Sequence, residues 1–381
     1  MREVRQIGQA LILALLFLLP VQAALAEVNA GNRAYSTSRP FKITPVATFD
    51  TPWAIAVMPE GRLLVTEKGG RLYLVTLDGR KQEVPGVPPV QAIGQDGLLD
   101  IVLSPRFGTD HQVYFTYVEP GEGGGRLALA RARFAESGDI ARLADLAVIW
   151  RATPEGGGGQ PGGIIAFAPD GQHLFLASGD RMRPQTAQDP GGSLGKILRL
   201  NLDGSTPADN PMAAQGGVQA QIWTMGHRNP YGLAFAADGK LWEDEMGPRG
   251  GDELNLIRPG RNYGWPLVSN GDNYDGTPIP RHRTRPDLEA PIVYWTPVIA
   301  PAGLAFYSGA MFPTWHGSAF IGALRQHALV RIAFDGKGGA READRWDMGQ
   351  RIRDVVVAAD GALLLIEDRP DGRLLRLTPA K

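Results

Sequence analysis

The sequence predicts an all-β protein, a six-bladed β-propeller with inserted loops. Three observations carry that prediction. A unit of strand, turn and strand recurs six times. Most of the units have turns rich in Asp-Gly or Gly-Gly, which reach positive φ at low cost. No segment beyond the first residues shows a long run of 3.6-residue periodicity. The commoner all-β alternative, a sandwich of many hairpins, explains the alternation but not the six-fold recurrence.

The first residues stand apart from the fold. Arg2 and Arg5 precede an apolar run over residues 10–19, and Ala24-Leu25-Ala26 offers small residues for cleavage. Residues 1–26 therefore read as a secretory signal peptide, and residues 27–381 as a single propeller domain exported to the periplasm or beyond. The apolar run is short for a bilayer span, so no stable membrane insertion is expected. Residues 28–45 read as a lead-in that helps to close the ring.

The units follow in order. PWAIAVMPEGRLLVTEKGGRLYLV covers residues 52–75, and GLLDIVLSPRFGTDHQVYFTYV with LALARARF covers 97–134. GGIIAFAPDGQHLFLASGDR is completed, after a long insertion, by GKILRLNLDG. NPYGLAFAADGKLWEDEMG leads to DELNLIRPG, and APAGLAFYSGAMF opens the fifth unit. RIRDVVVAADGALLLIEDRPDGRLLRLTP is the sixth. Their spacing, about 45 to 75 residues, exceeds the tightest propeller repeats, so several loops carry insertions. The glycines at 121–125 read as a hairpin tip, and the polar stretch 269–286 reads as an insertion of the kind that carries binding residues.

Composition removes several functions. The chain has no cysteine, hence no disulfide, thiol nucleophile or thiolate-bound metal. A formal net charge of −1 argues against a nucleic-acid partner, so any charge recognition is local.

Three local constellations remain. EGGGGQPGG suggests a phosphate cradle, but there is no G-x-x-x-x-G-K-[ST] and no strand-loop-helix context. Arginines stand at unit boundaries: Arg228 in HRNP, Arg325 in ALRQHALVR, and Arg351 and Arg353 flanking Ile352. Each alone reads equally as a solvated strand end or a salt bridge; converging, they form a trap for carboxylates or phosphates. Thirdly, carboxylates cluster about Gly247-Pro248 in EDEMGPRGGDE, which suits an oxygen-liganded cation such as Ca²⁺ or, equally, an acidic surface loop.

GQDGLLDI, LGKILRLNLDG, DNP, GHRNPYGLAF, GPRGGDELNLI, RNYGWP and RIRDV, in this order over nearly the whole mature chain, resemble the soluble glucose/sorbosone dehydrogenases. These are exported aldose sugar dehydrogenases that use pyrroloquinoline quinone (PQQ). The resemblance implies that Gln95, Arg228, Asn229, Arg325, Arg351 and Arg353 hold the quinone. Arg325 stands where relatives of the glucose enzyme have Lys. It implies that Gly247 and Pro248 offer carbonyls to Ca²⁺, with Asp252 in support. The implied reaction removes a proton from the C1 hydroxyl of an aldose, giving the lactone, as hydride passes to the quinone; the electron acceptor that follows is left open.

One departure falls on the base. The family's His lies in an H-F-G-G-R segment, which here reads Gln160-Pro161-Gly162-Gly163-Ile164. A carboxamide has no basic lone pair near neutral pH. Met246, where many relatives carry His or Gln, is a second departure. Asp180, after the strand that follows the glycine loop, and Glu155, just before the glycines, are candidate substitute bases, and the loop itself is expected to be a flexible hairpin top. Two rival readings follow: a quinone- or sugar-binding propeller without catalysis, and a Ca²⁺-dependent lactonase.

Overall fold

The computed structural model describes residues 27–380 except 122 and 139, so the signal-peptide expectation falls outside the described residues. Six antiparallel sheets surround a common axis as a six-bladed β-propeller. Blade 1 opens with Pro52–Val57, blade 2 with Leu98–Leu103 and blade 3 with Gly162–Phe167; blades 4, 5 and 6 open with Pro230–Phe235, Pro301–Phe306 and Ile352–Val357. These six inner strands line a cavity of about 250 Å³ on the axis.

The N-terminal segment closes the ring. Phe41–Phe49 pairs antiparallel with Gly372–Pro379 as the outer strand of blade 6, tying the two ends of the chain into one sheet. Val28–Asn29 adds in parallel to Val293–Trp295 at the edge of blade 4. Apolar residues alternate inward along each strand and meet those of the neighbouring blade, as where Phe175, Ile197, Leu233 and Leu241 pack blade 3 on blade 4. No helix among the described residues is long and apolar enough to cross a membrane.

All six inner strands slip register near their start, for example between Leu98 and Ile101 and between Ile352 and Asp354. Such bulges re-aim side chains at the rim of a sheet. Trp53, Tyr231 and Arg353 lie in three of them, and the Arg353 guanidinium faces both rings, 5.5 Å from Trp53 and 5.4 Å from Tyr231. The same region ties blades together. Thr66 accepts from the Ala54 N–H and donates to the Leu99 carbonyl (2.8 Å), while Thr116 accepts from the Asp100 N–H and donates to the Gly163 carbonyl (2.6 Å).

Candidate active site

The glycine loop ends on Gln160, a buried residue with φ of 47°. Its N–H donates to Gln95 Oε1 (2.6 Å), and its carbonyl accepts from the Arg181 N–H (3.3 Å). Its side chain lies between Asp180 and Arg228. With the amide nitrogen donating to Asp180 Oδ1 (2.5 Å), the amide oxygen accepts from Arg228 Nη2 (2.7 Å); the opposite orientation sets acceptor on acceptor and donor on donor.

Asp180 is fully buried, in the turn that follows the second strand of blade 3. Its Oδ2 accepts from Trp265 Nε1 (2.8 Å) and its Oδ1 from the Met182 N–H (2.9 Å). Burial pushes its carboxyl up to about 6, against the pull of the Trp265 bond and the Arg228 charge. Glu155, the other candidate base, is exposed and faces Arg126 at 3.6 Å.

The loop is not the flexible hairpin top that its glycines suggest. Arg183 donates to the carbonyls of Pro154, Glu155 and Gly156, and Arg181 to those of Gly124, Gly157 and Gly159. Arg181 is itself buried in a forked pair with Asp96. The glycines permit this grip: a Cβ on Gly157 would lie 2.6 Å from the Arg181 carbonyl oxygen.

Arg228 is held just as fully. Glu245 Oε2 accepts its backbone N–H (2.5 Å) and that of Asn229 (3.3 Å), while Glu245 Oε1 meets His227 Nδ1 (3.1 Å). The guanidinium lies 5.3 Å from the Trp265 ring, and Nη2 reaches the hydroxyl of Tyr274, in the 269–286 insertion (3.3 Å). Nη1 donates to the carbonyls of both Met246 and Gly247 at 2.9 Å. Two carbonyls thus converge on one point, where the Arg228 guanidinium holds them. Pro248, which follows Gly247 in the same turn, is buried.

Asp252 anchors that turn. Its Oδ1 accepts from the Gly247 N–H (2.8 Å) and its Oδ2 from the N–H groups of Ile299 and Ala300, both at 2.7 Å. Burial pushes it up to about 7 against those bonds. The acidic run is no surface loop: Glu243, Asp244, Glu245, Asp252 and Glu253 are all buried. Ligand atoms of its Glu243 and Glu245 and of His227 lie within 4.8 Å of one another.

Across the axis, Arg351 and Arg353 share Asp368, at 2.6 and 3.0 Å. Burial alone would raise Asp368, but Arg353 and Arg351 hold it below the usual carboxylate range. Arg353 Nε and Nη1 are buried without a hydrogen-bond partner among the described residues. Arg351 touches the Leu324 carbonyl (3.4 Å), and the neighbouring Arg325 is exposed with no side-chain partner among the described residues. These unspent donors beside two aromatic rings suit a flat, anionic ligand.

The contacts form one circuit. Gln95, Gln160, Asp180, Arg228 and Asn229 are linked directly or through one bond; Tyr231 leads on to Arg353, Asp368 and Arg351, which reaches the carbonyl of Leu324, the residue before Arg325. The Arg325 N–H bonds Ile299, whose own N–H bonds Asp252 beneath Gly247. Reading the sequence missed Arg181, Arg183, Asp96, Trp265, Tyr274 and Asp368. The available signals were that Arg181 follows Asp180 in SGDR, that Asp96 and Trp265 lie in the GQDG and RNYGWP motifs, and that Tyr274 lies in the 269–286 insertion.

The family model for glucose/sorbosone dehydrogenase matches residues 49–376. Aldose sugar dehydrogenase YliI of Escherichia coli is 38% identical over 338 residues, covering 87% of this chain and 90% of its own. A crystal structure of a glucose dehydrogenase superposes with a TM-score of 0.84 at 42% identity, covering 89% of this chain and all of the other. The PQQ-bound form of aldose sugar dehydrogenase from Streptomyces coelicolor does so with a TM-score of 0.72 at 28% identity, covering 91% and 99%.

Proposed function

The chain belongs to the glucose/sorbosone dehydrogenase family, and from that premise we propose that it is an exported sugar-oxidising oxidoreductase that uses PQQ and Ca²⁺ to convert aldoses to lactones. The observation that carries the reading is the asymmetric circuit: unspent Arg353 and Arg325 donors on one side and a buried carboxyl, Asp180, on the other.

In this reading Arg325, Arg351, Arg353, Asn229 and Gln95 hold the quinone, and the Gly247 carbonyl, with Pro248 in the same turn, serves the calcium ion. Asp252 fixes that turn. When bound, the quinone supplies a two-electron acceptor whose reactive carbonyl calcium polarises. Arg228 stays beside Asp180 and Gln160, a positive charge where the sugar's hydroxyl loses its proton. Gln160 cannot take that proton; Asp180, raised to about 6, is ionised at neutral pH and a better acceptor than an ordinary carboxylate. Gln160 then orients the hydroxyl through its amide.

A second reading, a binding propeller without turnover, is favoured by one observation: the Gln160 amide is already bonded at both ends. Reconstitution separates the two. Purified protein with PQQ and Ca²⁺ is given an aldose and a dye acceptor while the quinone absorbance is followed. Bleaching and dye reduction are expected; intact quinone binding without turnover rejects catalysis. Lactone hydrolysis in the absence of quinone would instead indicate a lactonase.

A further inference from the structure

The Arg181 side chain lies outside the circuit, yet it touches two of the loops that build it and the hairpin tip at Gly124 beside them. Its guanidinium pairs with Asp96, the neighbour of Gln95, with both side chains at most 2% exposed. The same group donates to Gly159 (3.0 Å), Gly157 (3.1 Å) and Gly124 (3.2 Å). Gln91 Nε2 reinforces the cluster, donating to Asp96 Oδ2 (3.0 Å) and to the Gly124 carbonyl (2.6 Å). A fork that makes this many charge-assisted bonds in a buried setting fixes its partners far more tightly than a surface pair does.

The backbone of Arg181 acts on the same pair of residues. Its N–H holds the Gln160 carbonyl, and it lies with Met182 in the left-handed region, at φ of 57° and 61°. Non-glycine residues occupy that region only when their surroundings enforce it. The turn they make brings the Met182 N–H onto Asp180 Oδ1.

We propose that Arg181, with Asp96, is a positioning residue that fixes Gln160 and Asp180 against each other, so that the glycine loop is a preformed wall of the sugar site. Its consequence for turnover rests on the oxidoreductase reading above; the clamp itself does not.

The test uses the full-length mature protein. Replacing one partner strands a buried charge, so the main variant is Arg181→Met with Asp96→Leu, which removes both. Arg181→Lys, which keeps the charge and loses the fork, is its companion. Amide exchange over residues 156–160 is compared with exchange in the blade cores, together with kcat, KM, quinone affinity and the pH profile. Both variants are expected to keep blade-core protection and quinone affinity, to exchange faster over 156–160, and to lose kcat on the order of 10²-fold through misplacement. The acidic limb of the pH profile should shift as Asp180 loses its fixed neighbours. Unchanged exchange over 156–160 overturns the clamp, and altered exchange with unchanged kcat and pH profile overturns the positioning role. If the wild type itself shows no turnover, the oxidoreductase reading fails, and exchange alone still decides the clamp.

Discussion

The two sides of the site differ in what they leave undone. On the glycine-loop side, Gln160, Asp180 and Arg228 are bonded to one another and to backbone, and even the loop's carbonyls are taken by arginines. On the far side, among the described residues, Arg353 keeps two buried donors, Nε and Nη1, without hydrogen-bond partners and the exposed Arg325 has no side-chain partner, whereas near-side Arg181 and Arg183 each leave only Nε so. A folded protein rarely leaves buried donors unmet without a reason. In the proposed reading, the contrast teaches that the far side awaits an anion, while the near side is ordered in advance for a neutral polyol.

That contrast can be broken at its strongest point first. Asp180→Asn should lower kcat by roughly 10² to 10⁴, the usual worth of a positioned base, with quinone affinity unchanged. In the wild type kcat should fall as pH drops through about 6, because the raised carboxyl is a base only above that value, and the Asn variant should lack this limb. The sign for stability is the reverse. Folded Asp180 favours the neutral form, so its contribution is fully present below its ordinary value of 3.8 and lost as pH rises through about 6. Thermal melting across that window, wild type against Asp180→Asn, reads it.

Next in size is Arg353→Ala. Losing a charged group that supplies two free donors should weaken quinone binding on the order of 10²-fold, measured by absorbance titration. Unchanged affinity would mean that the unspent donors carry no message. Gln160→His sharpens the near side: with Asp180 already acting as base, turnover should rise less than about tenfold, whereas a rise of 10² to 10⁴ would assign the missing base to position 160.

The smallest effect concerns two adjacent glycines. At Gly157, φ is 99° and a Cβ would strike Arg181, so Gly157→Ala should cost about 1–3 kcal/mol in denaturant melts. Nothing lies within 4 Å of a Cβ on Gly158, and its φ is not in the positive range, so Gly158→Ala should be neutral or stabilising by up to about 1 kcal/mol.

The sequence alone determined the six blades, because strand alternation and Asp-Gly turns are local and repeat in register with the chain. It also brought out the motif arginines and the loss of an imidazole at Gln160, because residue identity is what a sequence records. What it could not contain is pairing across the fold. Arg181 and Gly159 are separated by 22 positions and Arg181 and Asp96 by 85, and no spacing rule links them. The glycine run therefore read as flexible, since glycine lowers local stiffness wherever it stands. Only the tertiary structure decided that a buried guanidinium grips those same glycines, and that Met246 joins Gly247 at Arg228. Convergence of this kind depends on where blades bring loops together, which is a property of the closed ring and not of any stretch of chain.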